Sequence, residues 1–323
     1  MRIDKHLDVI NACRFCFMCR HLDPVANVTF READTPRGRA LIADRIRMDR
    51  TELQNPDFVE TFYRSALSAA NRFHCVSHYD ETGLALAARR DIAEAGFAPE
   101  RVKALAKALE KATFAVKGRG KQLYFGNHPE LYPGSAVITG GDPGKALEVL
   151  GFAAASKKVL ARFKKAVAAT KCKTLIVAEP SSYDFLRDQL TGIEVIHGSE
   201  FLLASPVKAG RSRKAVYLES DFLKNYDGNP AAPRELLKKA GYTLMPFGTN
   251  DEESYAVGEG AVVYDALNPE LCKKLCERVC SLADGAGKVL FVTASQTVKD
   301  ALTKYNPLFD VVTLEEAVAA ILS

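Results

Sequence analysis

The chain has 323 residues, of which 47% are hydrophobic and 26% charged, a mixture that allows two or three ordinary domains with buried cores. Its net charge of +4 is too small to indicate a protein that binds nucleic acid. The sequence has no apolar run of membrane-spanning length, and its start lacks the apolar segment of a signal peptide. We therefore expect a cytoplasmic protein that does not insert directly into a membrane.

The first part of the chain, residues 1–117, is expected to be helical. "TPRGRALIADRIRMD" has apolar residues at helical spacing behind Pro36, and "NPDFVETFYRSALSAANRF" begins with an Asn cap followed by a proline. "ETGLALAARRDIAEAG" and "APERVKALAKALEKATFAV" continue the pattern without a strand signal. The small, basic segment "KGRGK" at residues 117–121 is a candidate linker, so we place a domain boundary near residue 118.

The rest of the chain alternates between short β-rich runs and helical stretches. The runs are "QLYFG", "SAVITGG", "KTLIVAEP", "IEVIHG", "AVYLES", "YTLMPF", "GAVVYDA", "KVLFVTA" and "FDVVT". Such alternation predicts α/β units around largely parallel sheets. Residues 173–202 are laid out like residues 288–318, which indicates duplicated domains at 118–210 and 211–323. The sequence thus predicts an α + α/β protein.

Three of the eight cysteines crowd together in "CRFCFMCRHLDP", which in a reducing compartment indicates a metal site and not a disulfide scaffold. Four thiolates bind a [4Fe–4S] cluster, and the common bacterial run is C-x2-C-x2-C-x3-C-P. Cys13, Cys16 and Cys19 match its first three positions. Asp23 stands at the fourth position, immediately before Pro24.

Cys75 can supply the missing ligand. It occupies the fourth position of a second, degenerate run, in which Ser65, Ser68 and Asn71 stand at the first three positions. In ferredoxins with two clusters, the fourth cysteine of each run binds the other cluster. All the ligands of one cluster are then present, and all those of the second are lost. We predict a single [4Fe–4S] cluster bound by these residues: Cys13, Cys16, Cys19 and Cys75.

Other interpretations of these cysteines stay open. Four cysteines can also bind Zn²⁺ tetrahedrally, although the triple C-x2-C-x2-C run favours a cubane cluster. Asp23 or His21 is an alternative fourth ligand. Cys75 would then be an ordinary buried thiol, since free cysteine is among the most buried residue types.

The stretch "CRFCFMCRHLDPVANVTFREADTPRGRALI" resembles the iron–sulfur subunits of glycolate oxidase, anaerobic glycerol-3-phosphate dehydrogenase and heterodisulfide reductase. "YLESDFLKNYDGNPAAPRELLKKAG", "NDEESYAVGEGA", "LIVAEPSSY" and "LFVTASQTV" extend the resemblance over essentially the whole chain. It implies an α-helical ferredoxin-like domain at residues 1–117 followed by two α/β CCG-like domains. It also implies a hetero-oligomer in which a separate FAD-binding subunit oxidises a 2-hydroxy acid or a similar alcohol.

This sequence departs from that family at the CCG cysteines. The positions that match them hold Asp142, Pro143, Glu179, Ser182, Asp221, Ala256, Val257, Ser295 and Val298. Carboxylate and apolar side chains do not replace soft thiolates around iron–sulfur, so we expect the folds to persist without heterodisulfide reductase activity. The three carboxylates at these positions are alternative ligands for a hard cation.

Cys272, Cys276 and Cys280 step by four along "NPELCKKLCERVCSLADG", which begins like a helix with an Asn cap and a proline. The three thiols therefore share one helical face. We interpret them as packing side chains, with a second metal site as the alternative.

The predicted function is electron transfer by an iron–sulfur subunit that has no catalytic residues of its own. The [4Fe–4S] cluster would belong to this chain, and FAD to the partner. The competing hypothesis is a structural or assembly subunit whose metal site, iron–sulfur or zinc, only stabilises the fold.

Overall fold

The computed structural model describes residues 1–13, 16–72, 74–206, 210, 212–228, 230–249, 251–283 and 289–322. A helical N-terminal region is followed by two α/β regions, each with its own sheet. The predicted α + α/β fold is confirmed.

The N-terminal region consists of helices joined by short loops and 3-10 turns. Its helices are α1 (Leu7–Ala12), α2 (Ala26–Thr29), α3 (Pro36–Met48), α4 (Pro56–Arg64), α5 (Glu81–Glu94) and α6 (Glu100–Leu109). Two predicted helices are shorter than expected. α4 ends at Arg64 because Leu67 and Ala69 adopt left-handed backbone with φ of 51° and 56°. α6 ends at Leu109, so the prediction of a helix up to Val116 is wrong.

Helix α3 has a well-formed N-terminus. Thr35 precedes Pro36, its hydroxyl oxygen accepts the N–H of Gly38 at 2.9 Å, and the hydroxyl donates to the carbonyl of Glu32 at 2.7 Å. These bonds satisfy groups that the first turn of a helix leaves without partners. The start of α3 is therefore held in one place.

We expect Thr35→Ala to lower the free energy of unfolding by about 1 kcal/mol, because it removes this cap. Urea denaturation followed by circular dichroism measures the loss. Thr303→Ala, at an exposed position within a later helix, is the matched control. Equal effects of the two substitutions would show that the cap does not stabilise α3.

The first α/β region contains a mixed sheet. Among the described residues its strands are β1 (Phe114–Lys117), β2 (Gln122–Phe125), β3 (Ala136–Gly140), β4 (Thr174–Val177) and β5 (Glu194–His197). Their order is β1-β3-β2-β4-β5, and only the β1–β3 pair is antiparallel. The helices of this region are α7 (Lys145–Val149), α8 (Ala153–Ala168), α9 (Pro180–Gln189) and α10 (Gly198–Ala204).

Strand β1 lies where the sequence predicts the end of a helix. Phe114 packs edge-on against Phe163 of α8 at 5.0 Å, and Phe114 pairs with Gly140 in the sheet. Tertiary packing has therefore overridden the local helical pattern. The first sheet begins before the boundary predicted near residue 118. The second predicted boundary, at residue 210, adjoins positions 207–209 and 211, which lie outside the described residues.

The second α/β region has a parallel sheet. Its strands, within the described ranges, are β6 (Arg213–Leu218), β7 (Tyr242–Leu244), β8 (Leu290–Thr293) and β9 (Val311–Thr313), in the order β7-β6-β8-β9. The accompanying helices are α11 (Ala231–Lys239), α12 (Tyr264–Leu267), α13 (Pro269–Ala283), α14 (Gln296–Tyr305) and α15 (Leu314–Leu322). The order β8-α14-β9-α15 repeats the order β4-α9-β5-α10, as the internal repeat predicts.

The strand predicted at "GAVVYDA" is wrong. This segment forms a 3-10 turn at Glu259–Ala261 and then α12, with Val262 in left-handed backbone at φ 61°. Its residues are apolar because they are buried against the helical region, where the hydroxyl of Tyr264 donates to the carbonyl of Arg64 at 2.7 Å. A short apolar run does not by itself distinguish a strand from a buried turn.

The helical region packs on both α/β regions. The guanidinium of Arg89, which is fully buried, donates to the carbonyls of Phe62, Ser65 and Val149 at 2.8 to 3.0 Å. The first two carbonyls belong to the helical region and the third to α7. One hydrophobic core also joins the N-terminal helices to the second sheet. None of the described helices is long and apolar enough to cross a membrane.

Candidate metal centre

The four cysteines predicted to bind a cluster lie on two stretches of the chain, residues 13–19 and the loop that contains Cys75. Cys13 follows α1 and is partly buried, Cys16 is exposed, and Cys19 is buried in a 3-10 turn at Met18–His21. Cys75 is partly buried and follows the 3-10 turn at Ala70–Arg72. Positions 14, 15 and 73, between or beside these cysteines, lie outside the described residues.

Cys19 lies against the start of helix α3. Burial raises the pKa of its thiol to about 11, and the backbone N–H of Arg37, which donates to the sulfur, opposes that shift. The carboxylate of Asp23 and the sulfur of Cys13 raise the pKa further, whereas Arg39 lowers it. The capped N-terminus of α3 thus provides a hydrogen-bond donor to this sulfur.

Tyr79 connects the Cys75 segment to the other cysteines. Its ring is buried, and burial raises the pKa of its hydroxyl, with further increases from Glu81, Cys19 and Cys13. The backbone places Tyr79 four residues after Cys75, whose own N–H donates to the carbonyl of Asn71 at 2.9 Å. The sulfurs of Cys13 and Cys19 therefore act electrostatically on a buried hydroxyl that stands four residues after Cys75.

The structure does not bring the four sulfurs into a completed ligand set. Within the described ranges, no three His, Cys, Asp or Glu side chains are grouped closely enough to hold a metal ion. The donor chemistry nevertheless fits a thiolate-bound cluster, because none of the four cysteines is part of a disulfide and Cys19 accepts a backbone N–H. The ligand set stays a prediction.

Asp23, which stands where the ferredoxin run has its fourth cysteine, forms contacts that stabilise the fold. One of its carboxylate oxygens accepts the N–H groups of Val25 and Ala26 at 2.9 and 3.0 Å, and the other pairs with Arg39 at 2.6 Å. Arg39 also binds the carboxylate of Glu81. Both oxygens of Asp23 are thus used by the fold, which argues against Asp23 as the fourth ligand. His21, the other alternative, has an exposed side chain.

The first three positions of the second, degenerate run hold buried polar side chains, two of which form local hydrogen bonds. Ser65, Ser68 and Asn71 are all buried. The hydroxyl of Ser65 accepts the N–H of Leu67 at 3.2 Å, and that of Ser68 accepts the N–H of Ala70 at 3.5 Å. Serine hydroxyls therefore support this loop at two positions where an intact C-x2-C-x2-C run has cysteines.

The carboxylates at the positions that the resemblance aligns with CCG cysteines bind backbone and side-chain donors. Asp142 caps α7 by accepting the N–H groups of Gly144 and Ala146 at 2.8 and 2.9 Å. Glu179 accepts the hydroxyl of Ser295 at 2.5 Å and the N–H of Gln296 at 2.9 Å. Burial raises the pKa values of these two carboxyls to about 6 and about 7.

Asp221 is also enclosed, and burial raises its pKa to about 7. The side-chain amide of Asn225 donates to it at 3.2 Å. The other matching positions that are buried are Pro143, Ser182, Ala256, Val257, Ser295 and Val298.

A cleft lies between the two α/β regions, at the carboxyl ends of their strands. Its volume is about 550 Å³, and its lining includes residues that follow β2, β3, β4, β8 and β9. Two carboxylates at this cleft accept hydrogen bonds from the other α/β region. Glu179 reaches α14 of the second, and Glu315 accepts the hydroxyls of Tyr124 and Tyr132 of the first at 2.9 and 2.6 Å.

The cysteines of α13 lie where packing side chains are expected. Cys272 and Cys276 are buried in the core that joins the helical region to the second sheet. The thiol of Cys272 donates to the carbonyl of Val257 at 3.7 Å. These contacts favour the packing interpretation over a second metal site.

Several residues of this centre were not identified from the sequence. The backbone N–H of Arg37 and the buried guanidinium of Arg39 act through contacts between segments that are distant in sequence, and the third residue, Tyr79, is buried in the fold. Of these three residues, only Tyr79 could have been suggested by the sequence, because it stands four residues after a predicted ligand, Cys75.

Comparison with known proteins finds a similarity of fold only, to a protein whose structure is known. No family model matches the sequence, and no curated protein matches it. The structure is similar to the crystal structure of a hypothetical protein from Helicobacter pylori, with a TM-score of 0.58 and 12% sequence identity. The match covers 88% of this chain and 66% of that chain, so this chain spans 66% of the length of that protein. At this identity the similarity shows the fold alone.

Proposed function

We propose that this chain is an electron-transfer subunit that carries one [4Fe–4S] cluster on Cys13, Cys16, Cys19 and Cys75. The observation that supports the proposal is the hydrogen bond from the backbone N–H of Arg37, at the capped N-terminus of α3, to the sulfur of Cys19, the third cysteine of the C-x2-C-x2-C run. A cluster bound here supplies one-electron transfer, and hydrogen bonds to sulfur and burial tune its reduction potential.

The chain's own residues would position and tune the cluster. The backbone N–H of Arg37 already donates to the sulfur of Cys19, and the cap at Thr35 fixes the helix that carries this donor. Cys16 is exposed, so one edge of the cluster would face solvent, where electrons can be exchanged with a partner.

The proposal includes a partner of the kind that the family resemblance implies. An FAD-binding subunit would oxidise a 2-hydroxy acid or a similar alcohol and pass electrons singly to this chain. The two α/β regions, whose CCG positions hold carboxylate, hydroxyl and apolar side chains, would act as scaffold and docking surface.

Metal and sulfide analysis of the protein purified without oxygen tests the proposal. We expect about four irons and four sulfides per chain in the wild type, and less than half of each in Cys75→Ser. Cys172→Ser is the matched control, because Cys172 is also partly buried but lies in the first α/β region, where it donates to the carbonyl of Gly120 at 3.6 Å.

Three outcomes would contradict the proposal in different ways. Zinc without sulfide would favour the structural or assembly subunit. Four irons that survive the loss of Cys75 would direct attention to His21 and Asp23 as the fourth ligand. Equal losses in Cys75→Ser and Cys172→Ser would indicate general destabilisation and not the removal of a ligand.

A further inference from the structure

We infer that Tyr79 donates its hydroxyl hydrogen bond to a sulfur of the cluster and thereby raises the reduction potential of the cluster. This inference rests on the proposed function, because it assigns a tuning role to a residue beside the predicted ligands. Tyr79 would be a positioning residue for electron transfer and not a ligand.

The first observation is a buried donor without an acceptor. Tyr79 is 4% exposed, and its hydroxyl has no hydrogen-bond partner within the described part of the chain. Buried tyrosine hydroxyls normally find a partner, and other tyrosines of this chain follow that rule. Tyr63 donates to the carbonyl of Leu150 at 3.1 Å, and Tyr264 donates to the carbonyl of Arg64 at 2.7 Å.

A second buried hydrogen-bond donor near Cys75 also lacks an acceptor. The side-chain amide nitrogen of Asn71 is buried and has no partner among the residues that the structure describes, while the backbone carbonyl of Asn71 accepts the N–H of Cys75. The turn from Asn71 to Tyr79 therefore presents two buried donors that need acceptors. A [4Fe–4S] cluster offers sulfide and thiolate sulfurs, which accept hydrogen bonds and donate none.

Sulfur-bearing side chains are among the groups that act electrostatically on the Tyr79 hydroxyl. These groups include Glu81, Cys19, Cys13 and Arg39, and within the described residues the hydroxyl is hydrogen-bonded to none of them. A guanidinium accepts no hydrogen bond, and one oxygen of Glu81 is bound by Arg39. Cys13 and Cys19 are predicted ligands, so the cluster would bring sulfur acceptors to this side of the turn.

Backbone geometry directs Tyr79 inward. His78 adopts left-handed backbone with φ of 47°, and the N–H of His78 donates to the carbonyl of Cys75 at 2.9 Å. Val76, on the outer side of this turn, is 71% exposed, whereas Tyr79 is buried. The turn that carries Cys75 thus also carries Tyr79 on its buried side.

The expected direction of the effect follows from charge. Reduction adds an electron to the cluster, and a hydrogen bond to its sulfur becomes stronger as the negative charge on the acceptor grows. Such a bond stabilises the reduced state more than the oxidised state and raises the reduction potential. Its removal lowers the potential.

The test is a redox titration of the full chain, purified without oxygen and followed by electron paramagnetic resonance. We expect Tyr79→Phe to retain the iron and sulfide content of the wild type and to show a more negative potential. Tyr242→Phe is the matched control, because its hydroxyl donates to the carbonyl of Ala317 in the second α/β region, and it should leave the potential unchanged. A Tyr79→Phe potential equal to that of the wild type would overturn the inference.

A second variant covers the case in which Tyr79→Phe does not take up iron. Replacement of Tyr79 by 3-fluorotyrosine keeps the ring and makes the hydroxyl a stronger donor, so the potential should shift to a more positive value. An unchanged potential would again overturn the inference. A wild-type chain without iron and sulfide would overturn the proposed function as well, so the two failures are distinguishable.

Discussion

Replacement of Arg39 by methionine is expected to lower the free energy of unfolding by about 3–5 kcal/mol, because it removes one partner of a buried ion-pair network. Arg39 is 1% exposed and lies between the carboxylates of Asp23 and Glu81, both of which are buried. It also donates to the carbonyl of Asp34 at 2.6 Å. Methionine fills much of the same volume but leaves both carboxylates without their cation.

The effect of Arg39→Met should depend on pH. Burial raises the pKa of Glu81, and Arg39 opposes that shift. Without the arginine the pKa of Glu81 should rise further, so that the folded variant retains a proton that the unfolded chain releases. The variant should therefore lose stability, relative to the wild type, as the pH rises from about 5 to about 8.

Arg45→Met provides the matched control on the same helix. The side chain of Arg45 is 54% exposed and pairs with Glu52 at the surface, so its loss should cost no more than about 1 kcal/mol. Urea denaturation of the three proteins at about pH 5 and about pH 8 measures both effects. Similar losses for the two variants would show that the Asp23–Arg39–Glu81 network does not stabilise the fold.

Glu179→Gln is expected to make the stability of the protein less dependent on pH. Burial raises the pKa of Glu179 from 4.5 to about 7 in the folded state. The folded state therefore keeps a proton that the unfolded state releases over this range. The stabilisation is fully present below pH 4.5 and is lost as the pH rises through about 7.

We expect the raised pKa of Glu179 to change the free energy of unfolding by about 2 kcal/mol over this pH range. The partial exposure of Glu179 to the cleft keeps the change this small. The wild type should lose that much more stability than Glu179→Gln between about pH 4.5 and about pH 8. Glu270→Gln, at an exposed position on α13, should follow the wild-type profile. Parallel pH profiles for wild type and Glu179→Gln, measured by urea denaturation, would contradict the prediction.

The local signals in the sequence predicted much of the fold. The Thr-Pro start of α3 and the alternation of β-rich and helical runs are properties of short segments, and the structure has them. The errors came from tertiary contacts. Phe114 joins a strand because Phe163 and β3 lie beside it, and residues 260–266 are apolar because the helical region covers them.

The residues of the candidate site also fall into two groups, those visible in the sequence and those that depend on tertiary packing. The spacing of Cys13, Cys16 and Cys19 is visible in the sequence, and the spacing rule adds Cys75. No spacing rule reveals that Arg39, on a helix that reads as an ordinary surface helix, is buried between two carboxylates. The hydrogen bond from Arg37 to Cys19 also depends on how α3 packs against the cysteine segment.

The two carboxylates at the cleft make the two α/β halves of the chain mutually dependent. Glu179 of the first half binds α14 of the second, and Glu315 of the second half binds Tyr124 and Tyr132 of the first. Each half thus supplies a buried acid whose partners lie in the other half. A chain cut between the halves would leave both acids without these partners, so we expect the two halves to unfold together.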